Sequence, residues 1–181
     1  MAWVVFAFIA GVLVWVAIAF NRLVRLRNQV RTAWADIDVQ LHRRHDLVPS
    51  LVAAVRAYAG HEQATLESVA QARSRAMSAT TPTPQGRAET ELEAGIGRLL
   101  ALRESYPELK ASGNFAQLQR DLVAVEDQLQ YARRFYNGAV RDYNDAIQRV
   151  PDVLIARVFS FLPGEFFQAE APTRTAPEVQ L

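Results

Sequence analysis

"FAQLQRDLVAVEDQLQYARRFYNGAVRDYNDAIQRV", residues 115–150, carries apolar side chains at Phe115, Leu118, Leu122, Val125, Leu129, Ala132, Tyr136, Ala139, Tyr143, Ile147 and Val150. Every step between them is three or four residues, which places them on one face of an α-helix that packs against a partner. Asn114 and Gln117 form a capping-box pattern ahead of the run. Pro151 ends it and suits the first turn of a last short helix, "DVLIARVFSFL", residues 152–162. No stretch of the chain alternates with period two between turn signals, so the expected class is all-α.

The same rhythm extends upstream. Leu23, Leu26, Val30, Ala33, Ile37 and Leu41 are followed by Val48, Leu51, Val55, Tyr58, Leu66, Val69 and Ala76. "ATTPTPQG", 79–86, reads as a linker by composition. Leu92, Ile96, Leu99 and Leu102 mark a shorter helix closed by "YPELKASG". As unbroken helices, residues 22–79, 114–150 and 87–105 would span roughly 87, 55 and 28 Å. Rods so unequal cannot cover one another's stripes. The first rod is therefore expected to break, with "YAGHE" at 58–62 and its Gly60 as the candidate point. Other subunits are expected to cover the remainder. The stripe expected to be left open is Leu23, Leu26, Val30, Ile37 and Leu41, a candidate homo-oligomer face.

Ala2–Phe20 contains no charged residue. Its helical length of ~28 Å approaches the ~30 Å hydrocarbon core of a bilayer. Trp3 lies near one end, and Trp15 and Phe20 lie toward the other, where interfacial aromatics sit. A single transmembrane anchor is expected, and removal of residues 1–20 should leave a soluble helical protein. Arg22, Arg25, Arg27 and Arg31 precede the first acid, Asp36. By the positive-inside rule they place the N-terminus outside and the bulk of the chain in the cytoplasm, with the arginines against anionic headgroups. The rival is a signal peptide cut after Ala19, suggested by "AIA" at 17–19, which would release a secreted or periplasmic helical binding module. The run is long for a signal peptide and has no basic residue before it. The chain contains no cysteine, and its net charge of +1 gives no footprint for nucleic acid.

Little in the chain carries catalytic chemistry. "HEQAT", 61–65, opens like a zinc-protease motif but has Thr65 where the second histidine must stand. His42 and His45 share a helix face, yet His61 is ~24 Å further along a straight helix, too far to complete a metal site. The acid pairs Glu126–Asp127 and Asp36–Asp38 have no neighbours that would bury or tune them. No catalytic, cofactor or metal residues are assigned, and neither an enzymatic activity nor a small-molecule substrate is expected. "LHRRHDLVPSLV", 41–52, is read as a bent polar layer of Arg43, Arg44, His45, Asp46 and Pro49. Pro49 cannot bond the His45 carbonyl and its ring crowds it, so a kink or unwinding over 45–49 is expected, leaving that oxygen to a side chain or water. Arg43, Arg44 and Asp46 are placed to satisfy such groups or to pair with acids on the third helix. At Tyr136–Asn137 and Tyr143–Asn144, the tyrosines are read as core and the asparagines as register-fixing groups. A ligand-binding seam is the sharper alternative.

Three blocks carry a family resemblance: "FNRLVRLRNQVRTAWADIDVQLHRRHDLVPSLVAAVRAYAGHEQATLESVAQARSRA", "ESYPELKASGNFAQLQRDLVAVEDQLQYARRFYNGAVRDYNDAIQRVP" and "FFQAE" with its following arginine and proline. Together they resemble the LemA family over residues 20 to 180. Phe20 stands where a tyrosine is usual, and Leu181 where an aromatic ending is common. The resemblance implies a single-pass inner-membrane protein with a short external N-terminus and a cytoplasmic antiparallel, up-and-down helical bundle. It implies no defined activity. The expected organisation is an anchor at 1–20, a bundle of about four helices at 21–162 and an extended or mobile tail at 163–181. The expected role is a non-enzymatic scaffold in the bacterial inner membrane that self-associates and recruits unidentified membrane-protein partners.

Overall fold

Each three-four stripe becomes a helix in a computed structural model of the chain, which describes residues 1–167. Six α-helices are present among the described residues, and no strand: α1 (Ala2–Tyr58), α2 (Gln63–Ser78), α3 (Pro82–Ala101), α4 (Pro107–Ala111), α5 (Gly113–Gln148) and α6 (Asp152–Val158). A 3₁₀ turn, Leu102–Glu104, leads from α3 toward α4. The first rod breaks where Gly60 stands, between Tyr58 and Gln63. Residues 82–86 belong to α3 and not to a linker. Pro82 and Pro84 occupy its opening turn, where a missing N–H costs no helical bond, so only residues 79–81 connect α2 to α3. Asn114 does not cap α5. The Ser112 hydroxyl does so, accepting the Phe115 N–H at 3.4 Å. The short α4 was concealed in "YPELKASG".

The chain divides into two compact units. The first comprises residues 1–38 and 131–166. In it Leu23 shares a core with Tyr143, Ala146, Ile147, Ile155, Ala156 and Phe161. Trp34 lies 5.2 Å from Tyr136, ring centre to ring centre. Moving up α1 from 23 to 34 thus means moving down α5 from 147 to 136, an antiparallel pairing. α6 ends with Ser160 at a positive φ of 54°. The Phe161 N–H then reaches back to the Ala156 carbonyl at 2.9 Å. This left-handed cap turns the chain sharply and returns Phe161 to the core.

Leu23 and Ile37 are fully buried, and so is Leu41 in the second unit. Leu26 and Val30 pack at the edge of the first unit's core. Leu23, Ile37 and Leu41 are therefore covered within the chain, and only Leu26 and Val30 of the proximal stripe keep partial exposure. Part of the cover at Leu23, beside α5, comes from α6 and the turn after it, elements too short to weigh in a comparison of rod lengths. Charged residues at Leu26 or Val30 would test folding and not assembly.

Residues 162–165 are pinned to α5, where an extended or mobile tail is expected. The Tyr143 hydroxyl donates to the Leu162 carbonyl at 2.9 Å, and the Tyr136 hydroxyl donates to the Glu165 carbonyl at 2.7 Å. Asn144 makes a two-way clasp, its amide donating to the Gly164 carbonyl at 3.0 Å while its oxygen accepts the Gly164 N–H at 2.8 Å. Burial, and then the Glu165 carboxylate, pushes the Tyr136 hydroxyl up to about 12, so it stays a neutral donor at physiological pH. The remainder of the expected tail, 168–181, lies outside the described residues.

The second unit comprises residues 39–130 and 167–181, of which 39–130 and Phe167 are described. α2 and α3 form a hairpin against the distal part of α1. Val48, Leu51, Val55, Leu66, Val69, Leu92, Leu99, Leu109 and Phe115 meet in one core. Gly95 marks the close approach of the hairpin, because a Cβ there would lie 2.9 Å from Val69 Cγ2. Val69 is buried and β-branched, so it cannot swing aside. Gly95→Ala is expected to destabilise, the 1–3 kcal/mol or so of overpacking outweighing the gain of up to ~1 kcal/mol in helix propensity. Gly138, with nothing within 4 Å, reverses the sign. Gly138→Ala should stabilise by about 0.5–1 kcal/mol. Thermal melts of the two variants check the pair.

Candidate functional site

Among the polar side chains that interrupt the apolar stripes of the second unit, three converge. On α1, Arg44 and His45 lie three and four residues after Leu41. On α3, Glu89 lies three before Leu92. All three are buried, Glu89 completely. Their placement at core positions brings them together. His45 Nε2 lies 2.6 Å from Glu89 Oε1, and Arg44 Nη1 lies 3.3 Å from Glu89 Oε2. The other Arg44 terminal nitrogen is paired with Glu126 on α5. Each carboxylate oxygen of Glu89 thus has a partner on α1, and Arg44 spans two acids on two different helices.

The fourth contact answers the proline. Pro49 sits inside α1, which continues as helix through residues 45–49 without unwinding. The His45 carbonyl that Pro49 cannot bond accepts Arg73 Nε from α2 at 2.7 Å. The freed oxygen is used as expected, by a side chain from another helix. If Arg73 compensates for Pro49, the two should be coupled. Pro49→Ala is expected to stabilise, by at most the ~3 kcal/mol separating proline from alanine in a helix interior. Arg73→Ala should cost ~1–3 kcal/mol, since it leaves a buried carbonyl unsatisfied. In the Pro49→Ala background, where residue 49 regains its N–H, that cost should fall by half or more. A double-mutant cycle by urea denaturation measures it.

The structure thus sorts the sequence-derived polar layer. Arg44 and His45 are in it, and Pro49 shapes it from the exposed side of α1. Arg43 and Asp46 are exposed and outside it. His42 and His45 rings are 6.4 Å apart with His42 exposed, and no group of three or more His, Cys, Asp or Glu side chains suited to a metal occurs among the described residues. Of the arginines after the apolar run, Arg22 donates to Asp152 at 2.8 Å, and Arg27 lies over the Phe161 ring at 5.0 Å. Arg25 and Arg31 are exposed. Glu89 and Arg73 were missed by sequence reasoning, although each had a signal. Glu89 continues the 92–96–99 stripe by one step, and Arg73 falls four after Val69 and three before Ala76.

A groove of about 200 Å³ opens beside the layer, lined by Arg44, Glu93, Ile96, Gly97, Leu100, Leu122, Val123 and Glu126. It is smaller than the ~300–1,000 Å³ of sites that enclose small molecules.

A helical-bundle protein with a charged layer in its core and, among the described residues, one helix apolar enough to cross a membrane is the class these features define. The chain belongs to the LemA family, whose model matches residues 33–181. Among curated relatives, magnetosome protein MamQ 2 of Paramagnetospirillum magneticum is 26% identical, over 96% of this chain and 71% of that protein. Magnetosome protein MamQ of Magnetospirillum gryphiswaldense is 24% identical, over 87% and 67%. Protein LemA of Metamycoplasma hominis is 25% identical, over 82% and 68%.

Proposed function

We infer that this chain is a membrane-anchored, non-enzymatic helical scaffold, with the N-terminus outside and the bundle in the cytoplasm, that recruits or organises membrane partners. One observation carries the reading. α1 is a single helix whose apolar side chains from Met1 to Val14 face outward, while Ala19 and Leu23 are core residues of the first unit. A helix exposed on all sides at one end and built into a bundle at the other couples lipid to protein rigidly. The names of the MamQ relatives refer to a cellular structure and not to a reaction, which supports a structural role. Self-association belongs to the proposal, and the crosslinks locate its face.

The second reading, release by cleavage after Ala19, has a specific observation against it. Cleavage there would sever α1 at a buried residue and strip Trp15 and Val16 from the core they pack on. N-terminal sequencing of protein extracted from native membranes, after crosslinking, tests both parts. A chain beginning before Trp15, with crosslinked species above monomer size, is the expected result. A chain beginning at Phe20 would overturn the anchor. A strict monomer, in detergent and in native-lipid particles alike, would sink self-association.

A further inference from the structure

The first unit leaves a band of large apolar side chains uncovered close to the anchor. α6 buries Asp152, Ile155 and Ala156 and presents Leu154 and Val158, one turn apart, on its other side. Around it Val150, Phe159 and Leu162 are also exposed, with Val150, Val158 and Leu162 each at three-quarters or more of full exposure. So dense a set around one seven-residue helix is a contact surface, not scattered exposure.

Its position identifies what covers it. The Phe20 ring, at the end of the uncharged run, meets Phe159 edge-on at 4.9 Å and Phe161 at 5.7 Å. Trp15 and Val16, further into the run, pack on the same core as Ile155, Ala156 and Phe161. The bundle therefore overlaps the apolar run from Trp15 to Phe20, about 7.5 Å of helix at 1.5 Å per residue. That depth falls within the ~5–10 Å to which interfacial helices sink below the headgroups. Charge agrees with this placement. Segments 20–27 and 149–162 contain Arg22, Arg25, Arg27, Arg149 and Arg157 against one acid, Asp152, which Arg22 neutralises. Apolar side chains ringed by arginines match an anionic leaflet.

We propose that α6 and the turn after it, through Val150, Leu154, Val158, Phe159 and Leu162, form a second membrane-contacting element that sits in the interface of the anionic leaflet beside α1. This rests on the reading of α1 as a membrane anchor. The element tethers the first unit to the bilayer at two points and so fixes its tilt, which a single helix cannot do.

The chain has no cysteine, so single-site labelling needs no background changes. The full chain carrying Leu154→Cys, Val158→Cys or Leu162→Cys is labelled with an environment-sensitive fluorophore. It is then reconstituted in vesicles of phosphatidylcholine and phosphatidylglycerol containing acyl-brominated lipid. Phe8→Cys reports on the anchor. Tyr131→Cys, exposed on α5 about 24 Å along the helix from Ile147, reports on water. Sites 154, 158 and 162 are expected to be quenched by brominated lipid several-fold more than site 131, as site 8 is, and to be shielded from aqueous iodide. Quenching at site 8 with sites 154, 158 and 162 as open to iodide as site 131 would overturn the proposal and leave the anchor standing. Sites shielded from both quenchers, with energy transfer between labelled copies, would also overturn it, in favour of a second copy of the chain. Iodide access at site 8 would remove the anchor and the proposal together.

Discussion

Glu89→Ala is expected to destabilise the chain by about 3–5 kcal/mol, the usual cost of removing one partner from a buried ion pair. Glu89 is wholly buried, and its carboxylate faces Arg44 and His45, themselves almost wholly buried. Arg44 would keep Glu126, while His45 would lose the carboxylate at 2.6 Å. Small domains are stable by only ~5–15 kcal/mol, so the loss would be a large fraction of the total. Glu89→Gln, which keeps the shape and one acceptor, should cost less. Arg44→Met combined with Glu89→Leu should recover much of the loss, because an apolar pair of similar volume avoids the desolvation of two ions. Guanidinium denaturation of the solubilised protein, followed by far-ultraviolet circular dichroism, gives all three values. A change below ~1 kcal/mol for Glu89→Ala would mean that the layer behaves as a solvated surface pair.

Removing residues 2–14 should release the protein from membranes under alkaline washing while preserving its helicity and cooperative melting. Removing residues 2–20 should release a damaged protein. The difference lies in six residues. Up to Val14 α1 gives nothing to the bundle core, but Ala19 belongs to it and the Phe20 ring packs on Phe159 and Phe161. Loss of a fully buried aromatic costs ~3–5 kcal/mol, and the partly buried Trp15 and Phe20 together should contribute on that order. The longer truncation should therefore melt at lower temperature and aggregate, whereas the shorter one should behave as wild type. The boundary at residue 20 expected from sequence marks where charge begins, whereas packing begins at Trp15. Equal melting temperatures for the two truncations would show that Trp15–Phe20 carry no packing. Retention of the shorter form after alkaline washing would mean that a further segment holds the chain in the bilayer.

The all-α class, the break at Gly60 and the fate of the His45 carbonyl were legible because each follows from local rules: periodicity, glycine, a missing N–H. The partner of that carbonyl was not, because Arg73 reaches it from another helix. Glu89 was readable in principle as a charge standing in an apolar stripe, and such a position requires a buried counter-charge elsewhere. Arg43 and Asp46 were grouped with Arg44 and His45 by adjacency, although helical geometry turns neighbours to different faces. The open proximal stripe failed for a different reason. Part of the cover of Leu23 is Phe161, returned to the core by Ser160 in a left-handed conformation, which residue type does not announce.

The four hydrogen bonds that clasp residues 162–165 to α5 all go to peptide groups of the segment they hold. Tyr136, Tyr143 and Asn144 read carbonyls and one N–H, never a side chain. Such a grip is indifferent to spelling and strict about spacing. Substituting Pro163 leaves each of these four bonds available, but inserting or deleting one residue between Leu162 and Glu165 puts them out of step, like a key with the right metal and the wrong notches.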